Sequence, residues 1–210
     1  MAGFNIERFK TAVQDNRGLM RTNKFLMTFA APSVLLNGVV PLNTLRYVET
    51  FCEQISEPGV NISTHEVRRY GIGHTEKHPT VNTFQDVTAI FYADGNSTIH
   101  SIFYRWIQNV INFDMSKGVF TINNNAKTNA PFELNYKKEY TTDLSIVTYR
   151  EDGTIIKRTV LREAYPTSIA ELPLNWQDMN SVARYAVQFS YTDWFIDGLS
   201  DVEADRSSTF

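Results

Sequence analysis

The stretch His74-Thr-Glu-Lys-His78 is where this sequence comes nearest to a metal site. On a strand, side chains alternate between faces, so His74, Glu76 and His78 would share one face. Two imidazoles and a carboxylate could hold a metal facially. The spacing differs from the helical His-Glu-x-x-His motif, and Gly73 and Pro79 on either side argue against a helix. The motif is weak, and the residues read first as a solvated strand face.

The other reactive residues stand alone. Cys52, between Phe51 and Glu53, has no His beside it in sequence and reads as a buried, inert thiol rather than a nucleophile. His100 falls inside an apolar run and reads as a packed or rim histidine rather than a general base. Gly71 and Gly73 lack the third glycine and the following helix of a phosphate loop. Arg68 and Arg69 point to opposite strand faces, and Glu151-Asp152 lies at a turn tip where solvent screens it. No catalytic, cofactor-binding or metal-binding residue is assigned, and no cofactor is expected.

The elements that would carry such groups are mainly β. The 210 residues suit one domain with a proper core, 42% hydrophobic and 20% charged. Aromatics reach 13%, with 14 Phe and 10 Tyr, which favours strands. A net charge of −3 does not argue for a nucleic-acid or membrane-surface partner. The amphipathic start predicts no secretory signal, no run approaches a spanning helix, and the lone cysteine fits folding in a reducing compartment.

Along the chain, residues 4–15 predict a short helix and 23–30 a strand. An apolar stretch at 31–46, broken by Pro32, Gly38 and Pro41, reads as a long loop. Strands are expected at 47–56 and 83–94, with an extended stretch at 61–78 flexed by Gly71 and Gly73. Residues 97–113 carry Ile99, Ile102, Phe103, Trp106, Ile107, Val110 and Ile111 at helical spacing, with Ser97 as N-cap and Arg105, Gln108 and Asn109 opposite. That helix needs a sheet to cover. An Asn-rich arm at 114–135 precedes a hairpin over 143–161 that turns at Asp152-Gly153. The last strand, 183–194, alternates Tyr185, Val187, Phe189 and Tyr191 on one face. The divisions are an N-terminal helical arm (1–22), a main domain (23–195) and an acidic tail (196–210).

Four segments in this order carry a resemblance: "RTNKFLMTF", "FCEQISEPGVNI", "NTFQDVTAIFYADGNSTIHSIFYRWIQ" and "REAYPTSIAELPLNWQDMNSVARYAVQFSYTDW". From Arg21 to Trp194 the chain resembles the tail tube proteins of contractile-tailed, T4-like bacteriophages and the related baseplate tube initiators. The closing Pro-Thr-x-x-x-Glu-Leu-x-Leu-x-Trp is the most specific part. The N-terminal helix, the 31–46 loop and the Asn-rich arm make the chain longer than the compact tube proteins.

The resemblance implies a mainly β sandwich or barrel-like subunit with one packed helix, whose strands join those of its neighbours into an inner barrel. Six subunits would form a ring, and rings would stack into a hollow tube that conducts phage DNA without sequence-specific binding. The implied role is a structural virion protein, not an enzyme, assembled in the bacterial host cytoplasm. Its implied partners are itself, the tail sheath, baseplate and tube-initiator proteins and the tail terminator. A single baseplate initiator ring is the alternative role. From other classes, a metal-dependent enzyme on the His74–His78 stretch and a ligand-binding β-sandwich remain as rivals.

Subunit or ring contacts are expected at Val34, Leu35, Leu36, Val39 and Val40, at Val119 and Phe120, and at Val147, Tyr149 and Ile155. In the closing motif, Tyr165-Pro166 is expected to end the second hairpin strand, because Pro cannot donate to a ladder. Beyond it Glu171 alternates with Leu172, Leu174 and Trp176, which are expected to supply a buried face, and Trp194 ends the final strand. Val147→Asp or Ile155→Asp should block either folding or ring formation, and normal tubes from both would contradict this placement of the hairpin.

Overall fold

The computed structural model describes residues 6–32, 35, 42–68, 71, 73–113, 134–177 and 181–197. In chain order these give α1 (Ile6–Asp15), β1 (Phe25–Phe29), α2 (Leu42–Phe51), β2 (Cys52–Ile55), β3 (Val60–Val67), β4 (Glu76–Phe84) and β5 (Val87–Tyr92). There follow α3 (Thr98–Val110), α4 (Lys137–Tyr140), β6 (Thr142–Tyr149), β7 (Ile155–Ile169), β8 (Arg184–Ser190) and β9 (Asp193–Asp197). The fold is mostly β, in the order β1-β6-β7-β8-β5-β2 with β9 also on β7, and a separate two-stranded sheet β3-β4.

β7 holds this arrangement together. Its first part pairs with β6 and, through residues 158–162, with β9; residues 165–169 pair with β8. The partners run in one continuous register, Leu161 opposite Trp194 and Tyr165 opposite Ser190, so β8 and β9 follow β7 around a bend. The bend falls at Glu163, a non-glycine residue at φ +53°. It folds one half of the sheet, β1-β6-β7-β9, over the other, β7-β8-β5-β2.

The core lies between the halves. Met27, Phe29, Leu144, Ile146 and Leu161 face it from one side, and Val87, Ala89, Phe91, Val187 and Phe189 from the other. α3 seals it with Ile99, Ile102, Phe103, Trp106 and Val110, as the helical periodicity predicts. Phe103 meets Phe91 at 4.9 Å and Phe189 edge-on at 5.9 Å between centroids, in the offset and edge-to-face range that adds to simple burial. The Trp106 indole N–H donates to the Tyr140 carbonyl at 2.7 Å, so even this fully buried ring leaves no polar atom unsatisfied. α2 adds Val48.

Several local expectations change. Residues 42–51 are helical, where a loop to 46 and then a strand from 47 were expected. β-branched and aromatic types suggest a strand there, but Val48 and Phe51, three residues apart, turn to the core from one helical face. The 61–78 stretch forms the facing strands β3 and β4, and the expected strand 83–94 breaks at Gln85-Asp86. Those two residues anchor the base of the β3-β4 pair: Tyr191 donates its hydroxyl to the Gln85 carbonyl at 2.8 Å, and Gln188 donates to Asp86 at 3.2 Å.

Ser97 makes no side-chain cap on α3 and is itself left-handed. Asp94 accepts from the Thr98 and Ile99 amides instead, at 2.9 and 3.2 Å. Partial burial pushes the Asp94 carboxyl up, but the hydrogen bonds from Thr98 and Ile99 outweigh it and hold the group below the usual carboxylate range. Gln108, expected on the polar face, is buried.

The Asp152-Gly153 turn is as expected: Thr154 N–H donates to the Asp152 carboxylate at 2.9 Å, with Gly153 at φ +84°. Pro166, however, does not end its strand. β7 continues to Ile169, with a register shift after Pro166. Past Ala164 the strand has β8 alone as a described partner, so a missing N–H is tolerated there. The expected strand 183–194 is also divided, into β8 and β9 on either side of Thr192.

Val147 and Ile155 now separate. Val147 is 4% exposed, whereas Ile155 at the start of β7 is 54% exposed. Val147→Asp should lower unfolding stability by about 3 kcal/mol or more, through a desolvated charge, and Ile155→Asp by about 1 kcal/mol or less. Urea unfolding of the two variants checks this.

Candidate assembly surfaces

The potential chemical groups do not converge. Glu76 and His78 share a face of β4, with Nε2 and Oε2 3.4 Å apart, while His74 precedes the strand. Among the described residues no three His, Cys, Asp or Glu side chains come together as a metal site. Cys52 is half-buried, and burial pushes its thiol up to about 12, against a weaker opposing contact with the Gln54 carbonyl at 3.7 Å. At neutral pH the thiolate needed of a nucleophile is therefore scarce. His100 packs beside the Tyr104 and Tyr185 rings. Among the described residues no helix is long and apolar enough to cross a membrane.

What the molecule does present is unpartnered β structure. The β1-β6-β7-β9 half ends in two open edges, since β1 pairs with β6 alone and β9 with β7 alone among the described strands. Unpaired edges template further strands unless they are covered. One face of this half is the core side. The other carries the registered rows Leu26–Val147–Arg158–Asp197 and Thr28–Ser145–Val160–Phe195, with Arg162 opposite Asp193 beyond them.

The charges of this outer face are matched across strands. Arg162 donates through Nε to Asp193 at 2.6 Å, and Arg158 lies 4.0 Å from Asp197. The Arg162 guanidinium also lies over the Phe195 ring, 5.6 Å from its centroid. At the bend, Lys137 bridges Glu163 and Thr192, while Thr192 Oγ1 donates to the Glu163 carboxylate at 2.6 Å. The hydrogen bond from Lys137, then that from Thr192, lowers the Glu163 carboxyl below its usual value. A depressed carboxylate contributes stability present above its unfolded value and lost as pH falls through the folded one, so acid loosens the bend.

The β3-β4 arm is exposed along nearly its whole length, including Val60, Ile62 and Val81. An isolated two-stranded hairpin is marginal in water, so an arm of this kind is suited to docking. Lys157 pins its base to Glu57 at 2.8 Å. Sequence reasoning missed this arm; the exposed apolar pair at Val60 and Ile62 was the available signal.

The closing motif holds the largest correction. Tyr165 packs against the core and Pro166 is buried, but residues 170–177 form no strand. Leu174 is 86% exposed and Trp176 exposes its whole side chain, so they supply no buried face. Glu171 is exposed, Leu172 half-buried, and Trp194 half-buried with its Nε1 lacking a hydrogen-bond partner among the described residues. Leu174 and Trp176 therefore face outward, apart from the core that α3 seals.

Of the expected contact residues, Leu35 is fully buried and belongs to the core, Val147 is buried, Tyr149 is half-buried and Ile155 is exposed. Val34, Leu36, Val39, Val40, Val119 and Phe120 lie outside the described residues, as do most of the 114–135 arm and the tail beyond 197.

Among the described residues, open sheet edges and an exposed arm are what this β subunit offers for contact. The profile of the family described as phage tail tube protein matches residues 20–197, and the chain belongs to that family. It is therefore a structural tube subunit, a component of the virion rather than an enzyme. No curated protein sequence matches it.

Solved structures share the fold at low identity. A chain of the anti-feeding prophage baseplate, described as 6-fold symmetrised, superposes with a TM-score of 0.57 at 11% identity, covering 86% of this chain and 97% of its own. A chain of the sheath-tube complex of an extracellular contractile injection system gives 0.53 at 14%, covering 85% and 91%. A chain of the anti-feeding prophage tube-terminating cap gives 0.54 at 17%, with the same coverages.

Proposed function

We propose that this chain is the major tail tube subunit of a contractile-tailed phage, closing into six-membered rings that stack as a hollow DNA conduit. The observation that carries the reading is the β1-β6-β7-β9 sheet, with its core side filled and both edges open. Pairing β9 of one copy with β1 of the next removes both edges at once, and repetition closes a ring. Six copies of four strands, roughly 24 strands about 4.8 Å apart and tilted, enclose a circle on the order of 40–50 Å across, backbone to backbone.

The core claims one face of this sheet, so the outer face turns to the channel. There Arg158 and Arg162 are matched by Asp197 and Asp193. Paired charges leave no free cationic track for phosphates to grip, which suits passage without retention. The sixfold symmetry described for the matching baseplate supports the ring number. The sheath-tube and cap structures support sheath and terminator proteins as partners, with baseplate and tube-initiator proteins beneath. The 31–46 and 114–135 segments and the N-terminal arm serve as contacts between subunits or rings. Assembly takes place in the host cytoplasm.

The baseplate match also favours a second reading, a tube initiator present as a single ring. Copy number per particle separates the two. Negative-stain microscopy of the purified, concentrated protein is expected to show hollow tubes of stacked rings. Persistent monomers would contradict self-assembly and favour the initiator.

A further inference from the structure

The two ends of β7 carry apolar groups that stay exposed among the described residues. At its start are Ile155 and, on the segment held beside the β6–β7 turn, Leu19 and Met20. That segment is fixed there because the Tyr149 amide donates to the Lys24 carbonyl at 2.9 Å and Arg21 pairs with Glu151 at 2.7 Å. Past the other end of β7 are Leu174 and Trp176. A whole indole in water is the largest single apolar exposure a side chain can present.

We propose that Trp176 and Leu174 of one copy dock on Leu19, Met20 and Ile155 of the copy in the adjoining ring. This rests on the tube reading and names its axial contact. When a ring closes through β1 and β9, residues 155–162 of β7 run across the wall with Ile155 towards one rim. Past the bend at Glu163 the chain leaves the ring sheet from the opposite end of that run, carrying Leu174 and Trp176 towards the other rim. The contact therefore joins ring to ring and leaves the edge pairing within each ring untouched.

Charge also selects this occupant. Residues 17–24 hold Arg17, Arg21 and Lys24, and the adjoining turn adds Arg150, against Glu151, which pairs with Arg21, and Asp152, so this patch stays basic. Residues 170–177 hold Glu171 with no basic residue. Two different patches on one chain make a heterologous contact. Repeated along an axis, such a contact does not close and yields an open filament. Aromatic anchors of this kind carry a large share of interface energy.

The test uses the full chain. In a Cys52→Ser background, Gln177→Cys and Thr22→Cys, which flank the two patches and leave Trp176 and Ile155 in place, are combined, and assembled tubes are treated with a short flexible bis-maleimide. A ladder of dimers, trimers and longer covalent chains is expected on a denaturing gel, with no ladder from either single-site variant. Tubes that form but give no ladder overturn the contact.

In parallel, Trp176→Ala and Trp176→Glu should keep wild-type circular dichroism and form rings. Those rings should stack only at a concentration raised about tenfold or more. Unchanged stacking overturns the contact alone, and loss of the rings themselves overturns its axial placement. A wild-type protein that forms no rings overturns the tube reading, and this contact with it.

Discussion

The bend in β7 is the constraint on which the rest depends. Without it the fifteen residues from Ile155 to Ile169 would make one flat ribbon with β8 and β9, and α3 would have a single sheet to cover. With Glu163 left-handed, the same strand donates its first part to one layer and its last to the other. Leu161 and Ala164 then face a closed core rather than solvent. The bend is held from outside by Lys137 and Thr192 and from the adjoining strand by Asp143, whose carboxylate accepts the Glu163 amide at 3.2 Å. A conformation disfavoured for a side-chain-bearing residue persists because its surroundings over-determine it.

Folding the sheet this way settles stability and leaves assembly unfinished. The aromatic cluster around Phe103 and Trp106 fills the interior together with the inward side chains of the strands, so the β3-β4 arm and the outer end of the 170–177 loop add nothing to the core. Those parts are free to meet other copies. Exposed apolar groups at Val60, Ile62, Leu174 and Trp176 would be a liability on a monomer. In the stacked-ring tube proposed above they become interface.

Much of the interior was legible in the sequence. The spacing of Ile99, Ile102, Phe103 and Trp106 admits one helical face, and Asp152-Gly153 admits a tight hairpin. Alternation marked the buried sides of β5 and β8. What was not legible had a common cause: local pattern does not record where a hydrophobic group finds its cover. Val48 lies in a stretch of strand-forming types and becomes helical because tertiary packing decides. Pro166 reads as a stop, yet the strand continues where one of its edges is open. Leu174 and Trp176 read as core and face solvent, since hydrophobic type alone does not say where a side chain is covered. The edges at β1 and β9 appear only once the strand order is known.

The central claim is that neighbouring copies share one sheet through β9 and β1. Hydrogen–deuterium exchange, compared between dilute free subunits and assembled tubes, reads those backbone amides directly. The account predicts that residues 25–29 and 193–197 both gain strong protection on assembly, because each edge acquires a hydrogen-bonded strand. Tubes in which the arm and the 170–177 loop gain protection, while both edges exchange as they do in the free subunit, would contradict it.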